Sequence, residues 1–569
     1  MWCRAALLVL GVSQLALLVL SVSEVATTQW LFINTTYYLL MATVLCWAGV
    51  YLQRAEPLRR EQVLAWVREN WPGLLIALIV TLTAGLAIEP ALRVLSDEAN
   101  LVGTSKNLFA SKTATFTVSG KYYYDTYWDV DVALDRRPAL FPFLVSLVHA
   151  VCGYSYKNVF AFNLLLLPAF VLVAYRFAKS LAGETFGIVS SFFVVLHPIT
   201  LISVRSGGFD FFANFFALLV IHSLHDYCRE QTPAKLATLW MNLCVFAEIR
   251  YESALFVPLM LVLLLALRLF QRSTLEPYAF IYVLTPAFLL PRIWQSTLLG
   301  NVPEQEPGAV ALSAENFVAN ATEYLKPLLS PGQAYPSHSA VVIALGLFGS
   351  ALWLRWLLVR LRARDWKSPR VRFALGVGAW MALQTTICFA YVWGRAQYPS
   401  AARLVMALDT FLSFAAAWVL TRSLERWKPF IAVLLAAALF VAAVPIASQH
   451  RLLNRLTQTR ENATTWKFFE RLNEKRILIV TDRPNLFTIM NYGAMSFDAA
   501  RSDPYLFTAF ARHLFHDVYV IQQVRLSTNE IVPGYEIWPT RKLDTVLEFQ
   551  NDADVLVRIS RLARAENQN

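Results

Sequence analysis

Residues 71–100 read WPGLLIALIVTLTAGLAIEPALRVLSDEAN. An apolar run of about 20 residues is long enough to cross a hydrocarbon core of about 30 Å as a helix. The run ends in Ser96-Asp97-Glu98-Ala99-Asn100, so two adjacent carboxylates stand where a span leaves the bilayer. Ionisable groups beside a membrane are costly, and they mark either a helix terminus or a place where chemistry is done.

The same pattern extends over most of the chain. Of its 569 residues 57% are hydrophobic and 16% charged, against about 25% charged in soluble proteins. About 13 spans are predicted, at 5–22, 34–51, 72–92, 158–176, 186–204, 209–225, 236–250, 253–269, 278–297, 339–358, 373–392, 403–421 and 429–447. The expected fold is therefore an all-α polytopic membrane protein. The first segment has a lone Arg4 and a second span follows soon after, which does not match a cleaved signal peptide. The net charge of +11 does not point to nucleic acid, because the basic residues cluster in short loops between spans. None of the six cysteines forms a CxxC pair, so neither a metal knuckle nor a disulfide framework is indicated.

Loop charge sets the orientation. One set of loops carries Arg54, Arg59, Arg60 and Arg68, then Arg176 and Lys179, Arg229 and Lys235, and Arg268 and Arg272. It continues with Arg355, Arg360, Arg362, Arg364, Lys367, Arg370 and Arg372, then Arg422, Arg426 and Lys428. The alternate short loops are poor in such residues, so the first set is expected in the cytoplasm, with the N-terminus inside and the region from 448 outside. The apolar stretch Pro138–Val151 is too short for a span and suits an interfacial or re-entrant helix. Asp97, Arg205, Asp210, Arg250 and the long loops 96–157 and 298–338 then share the outer face.

From about His450 the composition becomes soluble-like. Arg476–Asp482, Val518–Ile521 and Val555–Val557 read as strands, with helix-like segments near 464–472 and 506–515. This alternation predicts a small α/β domain.

The outer loop runs from Asp97-Glu98 through Lys121-Tyr122-Tyr123-Tyr124-Asp125-Thr126-Tyr127-Trp128-Asp129-Val130-Asp131 to Asp135-Arg136-Arg137-Pro138. After it come Lys157–Asn163 entering a span, the basic turn Arg176–Gly183, His197-Pro198 with Arg205 and Asp210, Glu248-Ile249-Arg250-Tyr251-Glu252, and Arg403-Leu404-Val405. In order and spacing this series resembles the GT-C superfamily of membrane glycosyltransferases, in the branch of the protein O-mannosyltransferases and the bacterial lipid A aminoarabinose transferase. There an Asp-Glu pair opens the first outer loop, and a basic residue before a proline leads into the juxtamembrane helix, matched by Arg137-Pro138. An Arg-Tyr-Leu motif of related sequences stands here without its Tyr, as Arg403-Leu404-Val405. The likeness covers roughly 72–450, and the aminoarabinose transferase also ends in a small outer α/β domain.

The resemblance implies a division into two extra N-terminal spans with a cytoplasmic loop (1–71), a catalytic membrane domain (72–447) and a periplasmic α/β domain (448–569). It implies transfer of a sugar from a polyprenyl-phosphate donor to a lipid, glycan or protein acceptor, in the bacterial inner membrane or, in a eukaryote, the endoplasmic reticulum. Asp97 is the expected base for the acceptor proton, with Glu98 as alternative or support. Arg137, Arg205, Arg250 and Arg403 are candidates for the leaving lipid phosphate, since arginine stays charged and binds phosphate bidentately. Asp210 and Glu252 would orient those arginines or bind sugar hydroxyls. Asp97, Asp210 and His338 are candidate ligands for a divalent metal.

The plain readings stand beside these. Asp97-Glu98 suits a helix cap, Arg205 and Arg250 suit interfacial snorkelling, and the aromatic cluster at 122–128 suits an interfacial belt. The competing function is a transporter or flippase for a lipid-linked or anionic solute. It fits less well, because no internal repeat is evident and the charges fall at span ends rather than mid-membrane. A non-catalytic scaffold is the third reading.

Overall fold

The computed structural model describes residues 2–22, 24–54, 60–299, 312–329, 337–396, 401–424, 429–448, 457–551 and 554–563. The parts of the predicted outer loop at 300–311 and 330–336 lie outside the described residues. The chain divides into two compact units: 1–90, 136–141 and 160–450 form the first, and 91–135, 142–159 and 451–569 the second.

The first unit is helical. Among the described residues, eight of its helices are long and apolar enough to cross a membrane, nine if one bent pair is a single span. The eight comprise α2 (Val25–Arg54), α3 (Arg60–Ala87), α6 (Asn158–Ala182), α9 (Asp210–Arg229), α17 (Ala340–Arg362), α18 (Pro369–Ala390), α19 (Met406–Leu424, with the preceding turn Ala402–Val405) and α20 (Pro429–Ser448). α1 (Trp2–Val22) precedes them. The bent pair is α7 (Glu184–Phe193) and α8 (Pro198–Val204), which meet at 75°. Pro198 opens α8, where its missing N–H costs nothing.

The predicted segments 236–250 and 253–269 are the shorter α10 (Pro233–Ala247) and α11 (Phe256–Ala266). The segment 278–297 is a string of short pieces within α12 to α15 (Arg272–Leu275, Ala279–Val283, Thr285–Phe288, Leu290–Leu299). Pro277, Pro286 and Pro291 account for the breaks, since each removes a backbone donor and crowds the preceding turn. α16 (Ala314–Leu329) follows.

Small and polar residues set the helix contacts. Gly346 and Gly349 of α17 lie on the backbone of α19, where an added Cβ would sit 2.6 Å from the Leu412 carbonyl oxygen and 2.5 Å from that of Ala415. Asn242 of α10 accepts from Trp47 Nε1 at 2.8 Å on α2. Asn214 of α9 and Thr410 of α19 exchange hydrogen bonds at 2.9 and 3.1 Å.

The second unit is α/β, as the C-terminal pattern predicts. Its seven-stranded sheet runs β2-β1-β4-β3-β5-β7-β6. β3 (Ile477–Val480), β5 (Asp517–Arg525) and β7 (Val555–Leu562) are the strands read in the sequence. β4 (Gly493–Met495) and β6 (Leu543–Gln550) join them, and β3 pairs in parallel with β4 and β5. β1 (Phe116–Tyr123) and β2 (Thr126–Ala133) come from the loop after α3, and β1 pairs antiparallel with β4 through Gly120 and Ala494. The aromatic stretch 122–128 is therefore the β1–β2 hairpin. α4 (Leu95–Ala110), α5 (Leu140–Cys152), α21 (Thr457–Leu472), α22 (Asn485–Thr488), α23 (Phe497–Ser502) and α24 (Leu506–Ala511) complete the helices. Leu478, Val480, Phe497, Phe515, Val518 and Val520 form one core.

Candidate functional site

Two side-chain clusters stand out in the first unit. The first begins at Asp210, the opening residue of α9, which is buried at a helix N-terminus where a negative charge is favoured. Asn163 of α6 builds the approach, donating to the carbonyls of Ser206 and Gly208 at 2.9 Å each. Asp210 Oδ1 takes a hydrogen bond from Arg250 Nη1, and Oδ2 takes one from Arg403 Nη1 at 2.9 Å. Arg250 Nε donates to Glu252 Oε1 at 2.5 Å, and its guanidinium lies 5.4 Å from the centre of the Phe209 ring. Four of the residues singled out in the sequence, Asp210, Arg250, Glu252 and Arg403, are thus one charge-paired network built from α9, the turn after α10 and the turn before α19.

Arg205 ends α8 and is half-buried, with Nε donating to the Ile88 carbonyl at 3.0 Å. Arg137 is half-buried, and its carbonyl accepts from Gln295 Nε2 at 2.6 Å, which fixes the backbone at the Arg-Pro step.

The second cluster is His197, His338 and Asp409, all buried. Each offers an atom within 4.8 Å of the others. His197 sits in the break between α7 and α8, His338 just before α17, and Asp409 in the first turn of α19. Asp409 Oδ2 is 2.9 Å from His338 Nδ1, and Oδ1 accepts from the Tyr324 hydroxyl at 2.6 Å. The Ser339 N–H donates to His197 Nδ1 at 3.2 Å, and the Ile199 N–H to the Ser337 carbonyl at 3.0 Å. Nε2 of each histidine is buried without a hydrogen-bond partner. His338, held at Nδ1 by the Asp409 carboxylate with Nε2 unused, shows an arrangement common in metal sites, whereas His197 Nδ1 is taken by the Ser339 N–H. These residues fit a divalent ion better than Asp210 does, since both oxygens of Asp210 already face guanidiniums. A further His222, His225 and Asp226 group lies on the last turns of α9.

His338 was a sequence candidate, whereas His197 and Asp409 were not read as ligands. The signals were there: a histidine at a His-Pro break in an apolar run, and an acid inside an otherwise apolar helix.

Asp97 and Glu98 lie in the second unit, in the first turn of α4. Glu98 is fully buried and its Oε2 accepts from the Arg93 N–H at 2.8 Å, so it fixes the chain entering the helix. Asp97 is half-buried. α4 is pinned to its own unit by Asn485 donating to Asn100 at 2.6 Å and by Lys106 Nζ donating to the Thr488 carbonyl at 2.9 Å. Burial lowers the pKa of the Lys106 ammonium to about 8, with Asp129 opposing the shift.

No protein-family model and no curated protein matches the sequence. Among solved structures, the chain is similar to ArnT from Cupriavidus metallidurans bound to undecaprenyl phosphate, with a TM-score of 0.49 and 13% identity over 85% of this chain and 97% of that one. It is also similar to the Archaeoglobus fulgidus oligosaccharyltransferase in the apo form, with a TM-score of 0.45 and 11% identity over 81% of this chain and 70% of that one. A third similarity is to the oligosaccharyltransferase AglB of the same organism in complex with an inhibitory peptide and a dolichol-phosphate, with a TM-score of 0.45 and 10% identity over 80% of this chain and 70% of that one. At such identities these are likenesses of backbone path alone.

Proposed function

We propose that this multi-pass membrane protein is a GT-C type glycosyltransferase that moves a sugar from a polyprenyl-phosphate donor to an acceptor hydroxyl or amine at the periplasmic face of a bacterial inner membrane. The observation that carries the reading is Asp210 held between Arg250 and Arg403, with Glu252 on the same Arg250. A buried carboxylate shared by two guanidiniums holds both cations at one place and fixes the planes of their five-donor forks. A leaving lipid phosphate gains negative charge as the bond from the sugar's anomeric carbon to the phosphate oxygen breaks. Fixed cations in a poorly hydrated place stabilise that charge without reorganising. The order of motifs along the chain supports the same reading.

In this reaction the acceptor's nucleophilic atom bonds to the anomeric carbon as the polyprenyl phosphate departs toward Arg250 and Arg403, and a carboxylate takes the acceptor's proton, the role that the order of motifs along the chain gives to Asp97. Arg137 and Arg205 are further phosphate-binding candidates. Glu98 supports Asp97 through the backbone it holds rather than taking the proton. His197, His338 and Asp409 would hold a divalent ion, whose chemistry there is to supply positive charge.

The test is purified full-length protein with a radiolabelled polyprenyl-phosphate sugar and a panel of acceptors. Wild type is expected to release polyprenyl phosphate and label an acceptor, while Asp97→Asn inserts and folds but transfers nothing. Normal turnover by Asp97→Asn removes Asp97 as base. Movement of the lipid-linked sugar across a vesicle membrane, with the sugar–phosphate bond intact, would favour a flippase instead.

A further inference from the structure

α9 and α19 both begin beside the Asp210 network and end in basic residues, Arg229 and Arg422. At that far end a cavity of about 1100 Å³ opens between α6, α9, α17, α18 and α19. It reaches along α9 from Arg229 to Asn214, 15 residues or roughly 22 Å of helix. Its mouth carries Arg229, Arg360, Arg370 and Arg422, all exposed, with Asp365 as the acid among its lining residues. Asp365 lies 3.7 Å from Arg360, and the arginines of the mouth outnumber its acid four to one. Behind the mouth, half-buried Trp353, Trp356 and Trp418 line the wall, and the Asn214–Thr410 pair closes the inner end.

We propose that this cavity binds an anionic glycerophospholipid from the leaflet at the basic end, with its phosphate on Arg229 and Arg370 and an acyl chain along the tryptophan wall. Length and chemistry both select such an occupant. A soluble anion would use the arginines and leave a deep aromatic wall unfilled. A neutral lipid would fill the wall and leave the arginines unanswered. Basic pockets between spans hold anionic head groups for this reason. The basic mouth lies about one membrane thickness from the Asp210 network along α9, and the inner end at Asn214 about one turn from it; the proposal stands whether or not the protein transfers sugars.

The experiment places full-length protein in detergent and adds phosphatidylglycerol or phosphatidylcholine with brominated acyl chains, which quench nearby tryptophans. Because the chain has 17 tryptophans, the signal is the difference between wild type and Trp418→Phe. Phosphatidylglycerol is expected to quench at lower concentration than phosphatidylcholine, and each of Arg229→Gln and Arg370→Gln should cut that preference roughly fivefold. Raising salt from 0.05 to 0.5 M should cut it in wild type as well, a readout that needs no variant to fold. Equal quenching by the two lipids, or a preference unchanged in both variants, overturns the proposal. Displacement of the lipid by millimolar inorganic phosphate assigns the arginines to a soluble anion, and quenching lost as protein concentration rises assigns the face to a second copy of the chain. Either outcome also overturns it.

Discussion

The two ends of α9 use charge in opposite ways. At its start Asp210 is 5% exposed and each of its oxygens is matched to a guanidinium. At its end Arg229 belongs to an exposed, mainly basic rim, where even the Arg360–Asp365 pair is 53% and 37% exposed. Burial decides what each arrangement is worth. A desolvated pair is expensive to break, because the surviving charge is stranded. An exposed pair contributes roughly 0–1 kcal/mol. The first end is therefore built to stay fixed, and the second can be recruited by a ligand at little cost to the fold.

The sharpest way to break this contrast is Asp210→Ala. Arg250 and Arg403 lose their shared carboxylate, and the protein should lose about 3–5 kcal/mol of stability in detergent. Under the proposed reaction, sugar transfer should fall by at least about 100-fold even where folding is rescued by lower temperature. Thermal or denaturant unfolding checks the first effect and the radiolabel assay the second. A stability within 1 kcal/mol of wild type would mean that the pairs are not coupled through the fold. Arg403→Lys separates charge from geometry: it keeps the ion pair but loses the planar fork, so transfer should suffer more than stability.

A smaller effect is expected at the histidine cluster. His338→Ala removes one of the two donors to buried Asp409 and leaves the Tyr324 hydroxyl on the other oxygen. Stranding half a carboxylate costs about 1–3 kcal/mol. Elemental analysis of the purified protein gives the second readout. If the cluster holds a divalent ion, wild type carries it near one per chain and the variant does not. Metal-free wild type, after purification with added metal, would leave the cluster as a buried hydrogen-bond network.

What the sequence revealed follows the same physics. Long apolar runs such as 339–358 and 373–392 declared themselves as α17 and α18, because length and hydropathy suffice for a helix in lipid. Segment 278–297 reads as a span by composition but holds a string of fragments, because hydropathy does not register Pro286 and Pro291 within it, while 253–269 holds the short α11. Asp210, Arg250, Glu252 and Arg403 were legible one at a time as charges at span ends, yet their convergence is tertiary. Residues 210 and 403 are almost 200 positions apart, and no local pattern links them. Asp409 escaped notice because it stands alone in an apolar helix with its partners in three other segments. The strands of the C-terminal sheet were readable as short β-branched runs. That its edge would be completed by β1 and β2 from a loop some 350 residues earlier was not.

The smallest expected effect tests the permissive end of α9. Arg229→Gln and Arg370→Gln remove exposed charges, and in lipid-free detergent each variant should unfold within about 0.5 kcal/mol of wild type. The difference should appear only when phosphatidylglycerol is added. A ligand that binds the folded state alone stabilises by RT ln(1 + [L]/Kd), which is about 1.4 kcal/mol at ten times Kd. Wild type should gain that much and the double variant should gain almost none at the same lipid concentration. A double variant already destabilised without lipid would place the arginines in the fold's own charge balance, like Asp210. Equal gains for wild type and variant would leave the rim as loop charge that orients the chain and binds nothing.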